Sequence, residues 1–388
     1  MEAYLDYNAT SPMDPAVSQA MIPYLSGHFG NPSSFHKMGQ ASRHAVESAR
    51  EIIADSLGVE PGDIIFTSGG TEADNLAVKG AMEWLGDKRK HLVVSTIEHQ
   101  AVLHPAQYLA KRSVKVSFIP VRPNGIVDLD ALKEAVTDDT ALVSVMHVNN
   151  ETGTIQPVRE IAAIAHAKGA LFHTDAVQSF GKMDFDAETL GADLISLSAH
   201  KICGPKGIGA LYVKKGLKLK PVTHGGHQEK NIRPGTENVA AIAGFGRAAE
   251  LAAKNRGPEA RRVGQLRDKL SDGLQRSVSH VRVNGDDRDR IYNTLNLSFE
   301  GLDGETLLMN LDLKNIYVST GSACTAGSVE PSHVLIAMGL PEKLARAAIR
   351  FSLGRFTTDE EIDHALNEIP SIVERLRKAS TEKIKVRP

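Results

Sequence analysis

The chain has 388 residues, of which 41% are hydrophobic and 24% charged, with a formal net charge of −2 at pH 7. That length predicts two or more domains, and the balanced charge excludes a nucleic acid or an anionic membrane held by bulk charge. Two cysteines cannot build a disulfide framework, which predicts a reducing compartment.

The first residues, "MEAYLDYNATSP", carry neither a basic nor an apolar region, so no signal peptide is expected. No apolar run reaches the ~18 residues of a membrane helix, and a cytoplasmic protein is predicted. Seven short apolar, β-branched runs then follow: "IIFT", "LVVST", "KVSFIPV", "LVSVMHV", "LFHTDA", "LISLSA" and "GALYV". Between them lie amphipathic helix candidates such as "TEADNLAVKGAMEWL", "LDALKEAV" and "VREIAAIAHAKG". Short strands buried on both faces and alternating with helices predict an α/β domain with a mostly parallel sheet. In such sheets ligands bind beyond the carboxyl ends of the strands.

From about Gly257 the texture changes. A long charged helix, "EARRVGQLRDKLSDGLQRSV", leads to strand-like "YNTLNLSFEG", then "GETLLMNLD" and a helical end in which Thr358 and Glu361 have capping-box spacing. The expected division is a large domain over 13–256 and a small α+β domain made of 1–12 and 257–388. The small domain carries the Gly/Ser-rich stretch 319–333, "STGSACTAGSVEPSH", with Cys324.

The strand ends carry the chemistry. "IIFT" is followed by "SGGTEADN", where Gly70 and Thr71 at a helix start make an anion site or, taken alone, an ordinary capped turn. His99 follows "LVVST", and Asn149 and Asn150 follow "LVSVMHV". Asp175 and Gln178 close "LFHT", and a carboxylate there is costly unless it meets a cation or a donor. "LISLSA" leads to "HKICGPKGIG", where Lys201 is either a solvated turn lysine or a Schiff-base lysine. Together these residues match what pyridoxal phosphate requires: a lysine for its aldehyde, a carboxylate for its ring nitrogen, a stacked imidazole and a helix N-terminus for its phosphate. No HExxH or paired CxxC spacing marks a metal site.

In that order, "YLDYNAT", "FGNPSS", "TSGGTEADN", "EHQAV", "HVNNETG", "HTDAVQS", "SAHKICGPKGIGALYV", "RPGTENV", "GSACT" and "IRFSLGRFT" resemble the cysteine desulfurases of the NifS/IscS group. These are fold-type-I pyridoxal-phosphate enzymes of aminotransferase class V. The resemblance spans Tyr4 to about Leu376. It implies a large domain with a mostly parallel seven-stranded sheet and a small α+β C-terminal domain. It implies Lys201 as the Schiff-base lysine, Asp175 as the partner of the pyridinium nitrogen and Gln178 as a donor to the ring phenolate oxygen. His99 would stack on the ring and take part in proton transfer. Gly70, Thr71, Ser198 and His200 would hold the phosphate, joined by Thr236 from the partner subunit of a homodimer. Asn150 and Arg350 would bind the carboxylate of L-cysteine. Cys324 would be the nucleophile that becomes a persulfide while the substrate leaves as L-alanine. No resident metal is implied, although Cys324 could transiently ligate an iron–sulfur cluster.

Cys203 stands where the family often has an aromatic residue and is expected to be a small buried filler. The end of the chain, "STEKIKVRP", does not resemble the extension by which housekeeping relatives dock an iron–sulfur scaffold. The sulfur acceptor is therefore open between such a scaffold, a tRNA-thiolation enzyme and a thio-cofactor pathway. The alternatives are a selenocysteine lyase, a class V aminotransferase, for which Cys324 would serve no purpose, and a catalytically silent scaffold subunit, against which Lys201 and Asp175 speak.

Overall fold

The computed structural model describes residues 1–86, 88–320 and 330–385, the side chains of 380–385 excepted. In chain order the strands are β1 (Ala3–Tyr4), β2 (Ile64–Thr67), β3 (His91–Ser95), β4 (Lys115–Ile119), β5 (Thr140–Ser144), β6 (Leu171–Asp175), β7 (Leu194–Ser198), β8 (Gly209–Val213), β9 (Val281–Asn284), β10 (Thr294–Phe299), β11 (Ile316–Tyr317) and β12 (Ala348–Ser352). Among the described residues they form three sheets, of seven, three and two strands.

The seven expected strands all lie in the large sheet, ordered β2-β8-β7-β6-β5-β3-β4. Only β8 runs against its neighbours, pairing antiparallel with β7 and β2. Two reversals cancel, so β2 points the same way as the parallel set and its carboxyl end joins theirs on one edge. Side chains alternate between two cores with the period of two that a strand imposes. Ile64, Phe66, Val93, Ile195, Leu197 and Ala210 enter one core. Ile65, Leu92, Val94, Leu194, Leu211 and Val213 enter the other. Helices cover both faces, which is why these runs are apolar throughout. β5 ends at Ser144, short of the expected "LVSVMHV": the Met146 N–H goes to the Glu98 carboxyl at 3.0 Å, while Val145 N and His147 N still donate to the His173 and Asp175 carbonyls of β6.

The long charged helix begins at Val239, not Glu259, and runs unbroken to Ser277 through Gly257 and Pro258. Its two halves serve different cores. Ala241, Ile242, Phe245 and Ala248 pack under the large sheet. Val263, Leu266, Leu270 and Leu274, spaced three or four apart, pack with Ala3, Leu5 and the strands β10 and β12. The last helix, Asp359–Lys385, opens on the expected capping box. Thr358 N donates to Glu361 Oε2 at 2.7 Å, and Glu361 N donates to Thr358 Oγ1 at 3.3 Å. Among the described residues no helix is long and apolar enough to cross a membrane.

Leu270 is fully buried in this second core. Leu270→Ala is expected to lower the unfolding free energy by about 2–5 kcal/mol, the range for a buried leucine truncation. Guanidinium titration measures it; a loss under about 0.5 kcal/mol, the size of a surface substitution, would contradict the packing described.

Candidate active site

The carboxyl edge of the large sheet opens on a cavity of about 310 Å³. Its wall contains Gly70, Thr71, His99, Asn150, Asp175, Gln178, Ser198, His200, Lys201 and Arg350, together with Asn8, Asp74, Met146 and Val148. Of the residues expected at the site, Thr236 lies elsewhere, exposed on the loop before the helix Val239–Ser277. Cys324 lies outside the described residues.

Lys201 sits in a single 3-10 turn, Ala199–Lys201, directly after β7. The N-terminal segment crosses this turn. Ser11 donates from both N (3.0 Å) and Oγ (2.6 Å) to the His200 carbonyl, and Cys203 N donates back to Ser11 Oγ at 2.8 Å. Lys201 Nζ donates to the carbonyls of Asn8 and Ala9. Gln178 Nε2 donates to the same Asn8 carbonyl at 3.0 Å. Cys203 is buried, with a φ of 62° and a thiol pushed up by burial, the environment of an inert filler.

The helix Gly70–Leu85 points its N-terminus at the cavity, and no side chain caps it. Gly69 has a φ of 149°, which favours glycine. At Gly70 a Cβ would meet Val177 Cγ2 at 2.8 Å, so only glycine lets the helix start lie this close to the loop after β6. Uncapped first-turn amides, the dipole, Thr71, Ser198 and a neutral His200 make this end a cradle for an anion. Glu72 in that first turn would oppose one, but Arg233 pairs with it at 3.0 Å.

Arg350, from β12, also lines the cavity and is 5% exposed. Its Nη1 donates to the Asn150 carbonyl at 3.1 Å and its Nη2 to Asp6 Oδ1 at 2.8 Å, while Nε is buried without a partner. A buried guanidinium with an unused donor at a cavity wall fits a carboxylate ligand. Among the described residues no three His, Cys, Asp or Glu side chains gather as a metal site.

The model of the "Aminotransferase class-V" family matches residues 3–365. The cysteine desulfurase IscS of Dictyoglomus turgidum is 48% identical over 98% of this chain and 97% of its own. This chain belongs to the cysteine desulfurases of the class V aminotransferase family. A second relative, the cysteine desulfurase IscS of Methanosarcina thermophila, is 47% identical over 97% of this chain and 93% of its own. Among solved structures, a NifS-like protein superimposes with a TM-score of 0.91 at 40% identity, covering 97% of this chain and 100% of that one. A structure titled "SspA in complex with cysteine" gives 0.82 at 37% identity, over 92% and 100%.

Sequence reasoning missed Asn8, Asp74 and Glu98. Asp74 was detectable, since it stands among Ala73, Leu76 and Ala77 on the apolar face of its helix. It is fully buried, its Oδ1 has no hydrogen bond and lies 3.6 Å from His173 Nε2, and burial beside Asp175 raises its pKa well above the usual range. Asp175 is also raised by burial, but the Val177 N–H and Lys201 pull it back down. The proton therefore stays on Asp74 and leaves Asp175 first. Burial and Lys201 lower His99 to about 4, and its Nδ1 accepts from Ala101 N at 3.1 Å. His99 is thus the neutral tautomer with its proton on Nε2.

Glu98 is held protonated by burial, pushed up to about 8 despite the Ser95 hydroxyl and the Met146 N–H. A raised folded pKa means that the native state binds a proton the unfolded chain has lost, so this contribution is full below about 4.5 and disappears as pH rises through about 8. Glu98→Gln, which mimics the protonated form, is expected to gain stability relative to the parent as pH rises from 5 to 8. Chemical denaturation at both pH values checks the sign; a relative stability that falls with pH would show that Glu98 is buried as an anion.

Proposed function

We propose that this protein is a pyridoxal-phosphate-dependent cysteine desulfurase that takes sulfur from L-cysteine onto Cys324 and releases L-alanine. The observation that carries the reading is that one cavity is lined by Lys201 and Asp175, by the uncapped helix start at Gly70 and Thr71, and by Arg350. Pyridoxal phosphate, when bound, supplies an aldehyde that condenses with amines and a ring that accepts the electrons released at the substrate α-carbon.

The chain's own groups divide the rest. Gly70, Thr71, Ser198 and His200 hold the phosphate, His200 as a neutral imidazole lowered to about 3 by burial and Lys201. Asp175, which gives up its proton before Asp74, would hold the proton on the ring nitrogen. His99 would lie against the ring, and Gln178 would donate to its phenolate oxygen. Arg350 and Asn150 would bind the substrate carboxylate, and Lys201, lining the same cavity, would move the α-proton. The Cys324 thiolate would attack the substrate sulfur: its Sγ forms the S–S bond as the C–S bond breaks, the bonding pair stays with the substrate β-carbon, and that carbon takes up a proton to become the methyl group of L-alanine. The persulfide then passes to an acceptor protein, such as an iron–sulfur scaffold or a tRNA-thiolation enzyme. A cytoplasmic setting belongs to this reading and rests on the low cysteine content.

The division into 13–256 and 1–12 with 257–388 also belongs to this reading. Separate cores around the two halves of the helix Val239–Ser277, and Ala3 and Leu5 in the second of them, support it. So does a homodimer in which Thr236 completes the neighbouring phosphate site. Its loop is anchored on its own subunit through Glu229–Arg50 at 2.7 Å and Arg233–Glu72, leaving Thr236 exposed.

Incubation with L-cysteine, with alanine quantified and the Cys324 peptide weighed for an added sulfur, tests the reading. Lys201→Ala is expected to abolish turnover and the visible absorbance of the bound cofactor. Cys324→Ser should keep that absorbance and yield neither persulfide nor catalytic alanine. A Lys201→Ala variant that keeps its turnover, or a fully active Cys324→Ser, overturns the assignment.

Thr236→Ala is expected to speed cofactor dissociation about fivefold, the worth of one neutral hydrogen bond of ~1 kcal/mol. Light scattering is expected to give a dimer at micromolar protein, and a monomer with full cofactor occupancy and activity would falsify the shared site.

A further inference from the structure

Lys182 is buried just behind the cavity and has no place in the mechanism above. It follows β6 in the stretch that also carries Asp175 and Gln178, one helical turn beyond Gln178. Its Nζ donates to Gln178 Oε1 at 3.2 Å. The other end of that amide donates through Nε2 to the Asn8 carbonyl. An ammonium can only donate and a carbonyl can only accept. Both neighbours therefore demand the same orientation of the amide: oxygen toward Lys182, NH₂ toward Asn8 and the cavity.

We infer that Lys182 is a positioning residue that locks Gln178 as a hydrogen-bond donor toward the phenolate oxygen of the bound cofactor. The inference rests on the cofactor reading above. Without Lys182 only the Asn8 carbonyl remains of the two partners that orient the amide, and an amide that turns presents its oxygen to an anionic oxygen, replacing attraction with repulsion. The cation does a second thing through the same contact: a charge-assisted bond to Oε1 polarises the amide and strengthens its N–H donors.

The surroundings fit a retained cation. Burial lowers Lys182 to about 8, while Glu259 favours its charged form and Arg350 opposes it. Lys201 and Arg355 line the same cavity of about 20 Å³ beside it, which has room for one water at most. The group thus stays charged through neutral pH, and no solvent pool stands ready to replace it as donor to Gln178.

The test uses the full chain loaded with pyridoxal phosphate. Its readouts are the cofactor dissociation constant and the pH midpoint of the cofactor's visible absorbance. Lys182→Met is expected to weaken cofactor binding roughly tenfold and to move the midpoint up by about one pH unit, each equivalent to ~1.4 kcal/mol. Lys182→Arg, which keeps a cation and a donor, is expected to restore most of both. In a Gln178→Leu background Lys182→Met should have no further effect on the midpoint, because its action passes through that amide.

An unchanged midpoint in Lys182→Met, or an equal shift with and without Gln178, overturns the inference. Should Lys182→Met fail to fold, Lys182→Arg compared in the parent and Gln178→Leu backgrounds decides: a small midpoint shift confined to the parent supports it, and an equal shift in both overturns it. A parent protein that shows no visible absorbance with pyridoxal phosphate sinks the cofactor reading itself, which separates the two failures.

Discussion

The main-chain carbonyl of Asn8 receives two donors, Lys201 Nζ and Gln178 Nε2, and much of the site depends on its staying in place. The rest of Asn8 is tied to the second core. Its N–H donates to Ser352 Oγ at 2.9 Å, its amide donates to Thr294 Oγ1 at 2.8 Å, and its Oδ1 accepts from Asn293. The same amide also donates to the Asn150 carbonyl, which accepts from Arg350 as well. A single residue of the N-terminal segment therefore joins the end of the large sheet to the three-stranded sheet that carries Arg350. Each bond is worth only about 0.5–1.5 kcal/mol net, but every partner is buried or half-buried, so losing Asn8 would orphan several polar groups at once.

The electrostatics of the cavity follow from burial more than from pairing. Asp74, Glu98 and Glu151 are all raised by burial, Glu98 to about 8 and Glu151 to about 7. His99, His147, His173 and His200 are all lowered. Glu98 and the four histidines are therefore mostly neutral at pH 7, and Glu151 stands near its midpoint. Against that background the charges that remain, Asp175, Lys201 and Arg350, act at short range in a poorly screened setting. A neutral surround also explains why the first-turn Glu72 needs Arg233: an unpaired carboxylate there would act directly against an anion at the helix start.

The large sheet was legible because its strands are buried on both faces and read as continuous apolar runs, and the strand ends then pointed to the cavity. The start of the helix Val239–Ser277 was not, because Gly257 and Pro258 read locally as a break. Eighteen residues of Ala-rich helix on one side and a packed stripe from Val263 to Leu274 on the other hold the chain helical through them. Lys201, Asp175, His99 and Arg350 were legible through the stretches around them. Asn8 and Lys182 were not, because their roles come from contacts: Asn8 with residues 170 and 193 positions away, Lys182 with an amide whose orientation only the fold determines. Glu98 stood beside His99 in the sequence, but its contact is with a backbone N–H 48 residues on.

The loop carrying Thr236 shows how local strain and long-range pairing are balanced. Glu229, Lys230 and Asn231 have φ values of 42°, 59° and 63°, three consecutive residues in a region that L-amino acids seldom occupy. Such a run persists only where the surroundings over-determine it. Here the Glu229 carboxylate does so: it takes both Nη atoms of Arg50, and its Oε2 also accepts from Phe66 N at 2.7 Å, at the start of the path from β2 to Gly70. Arg50 in turn stacks over the Phe66 ring at 4.7 Å and donates to the Ile64 carbonyl. The strand that ends in the anion cradle and the loop that presents Thr236 are thus held by one buried ion pair. A shift of the loop would pull on β2, and a shift of β2 would move the helix start. If Thr236 serves the neighbouring subunit, that coupling makes the two phosphate sites of a dimer depend on each other's strand geometry, with Glu229 as the shared fixed point.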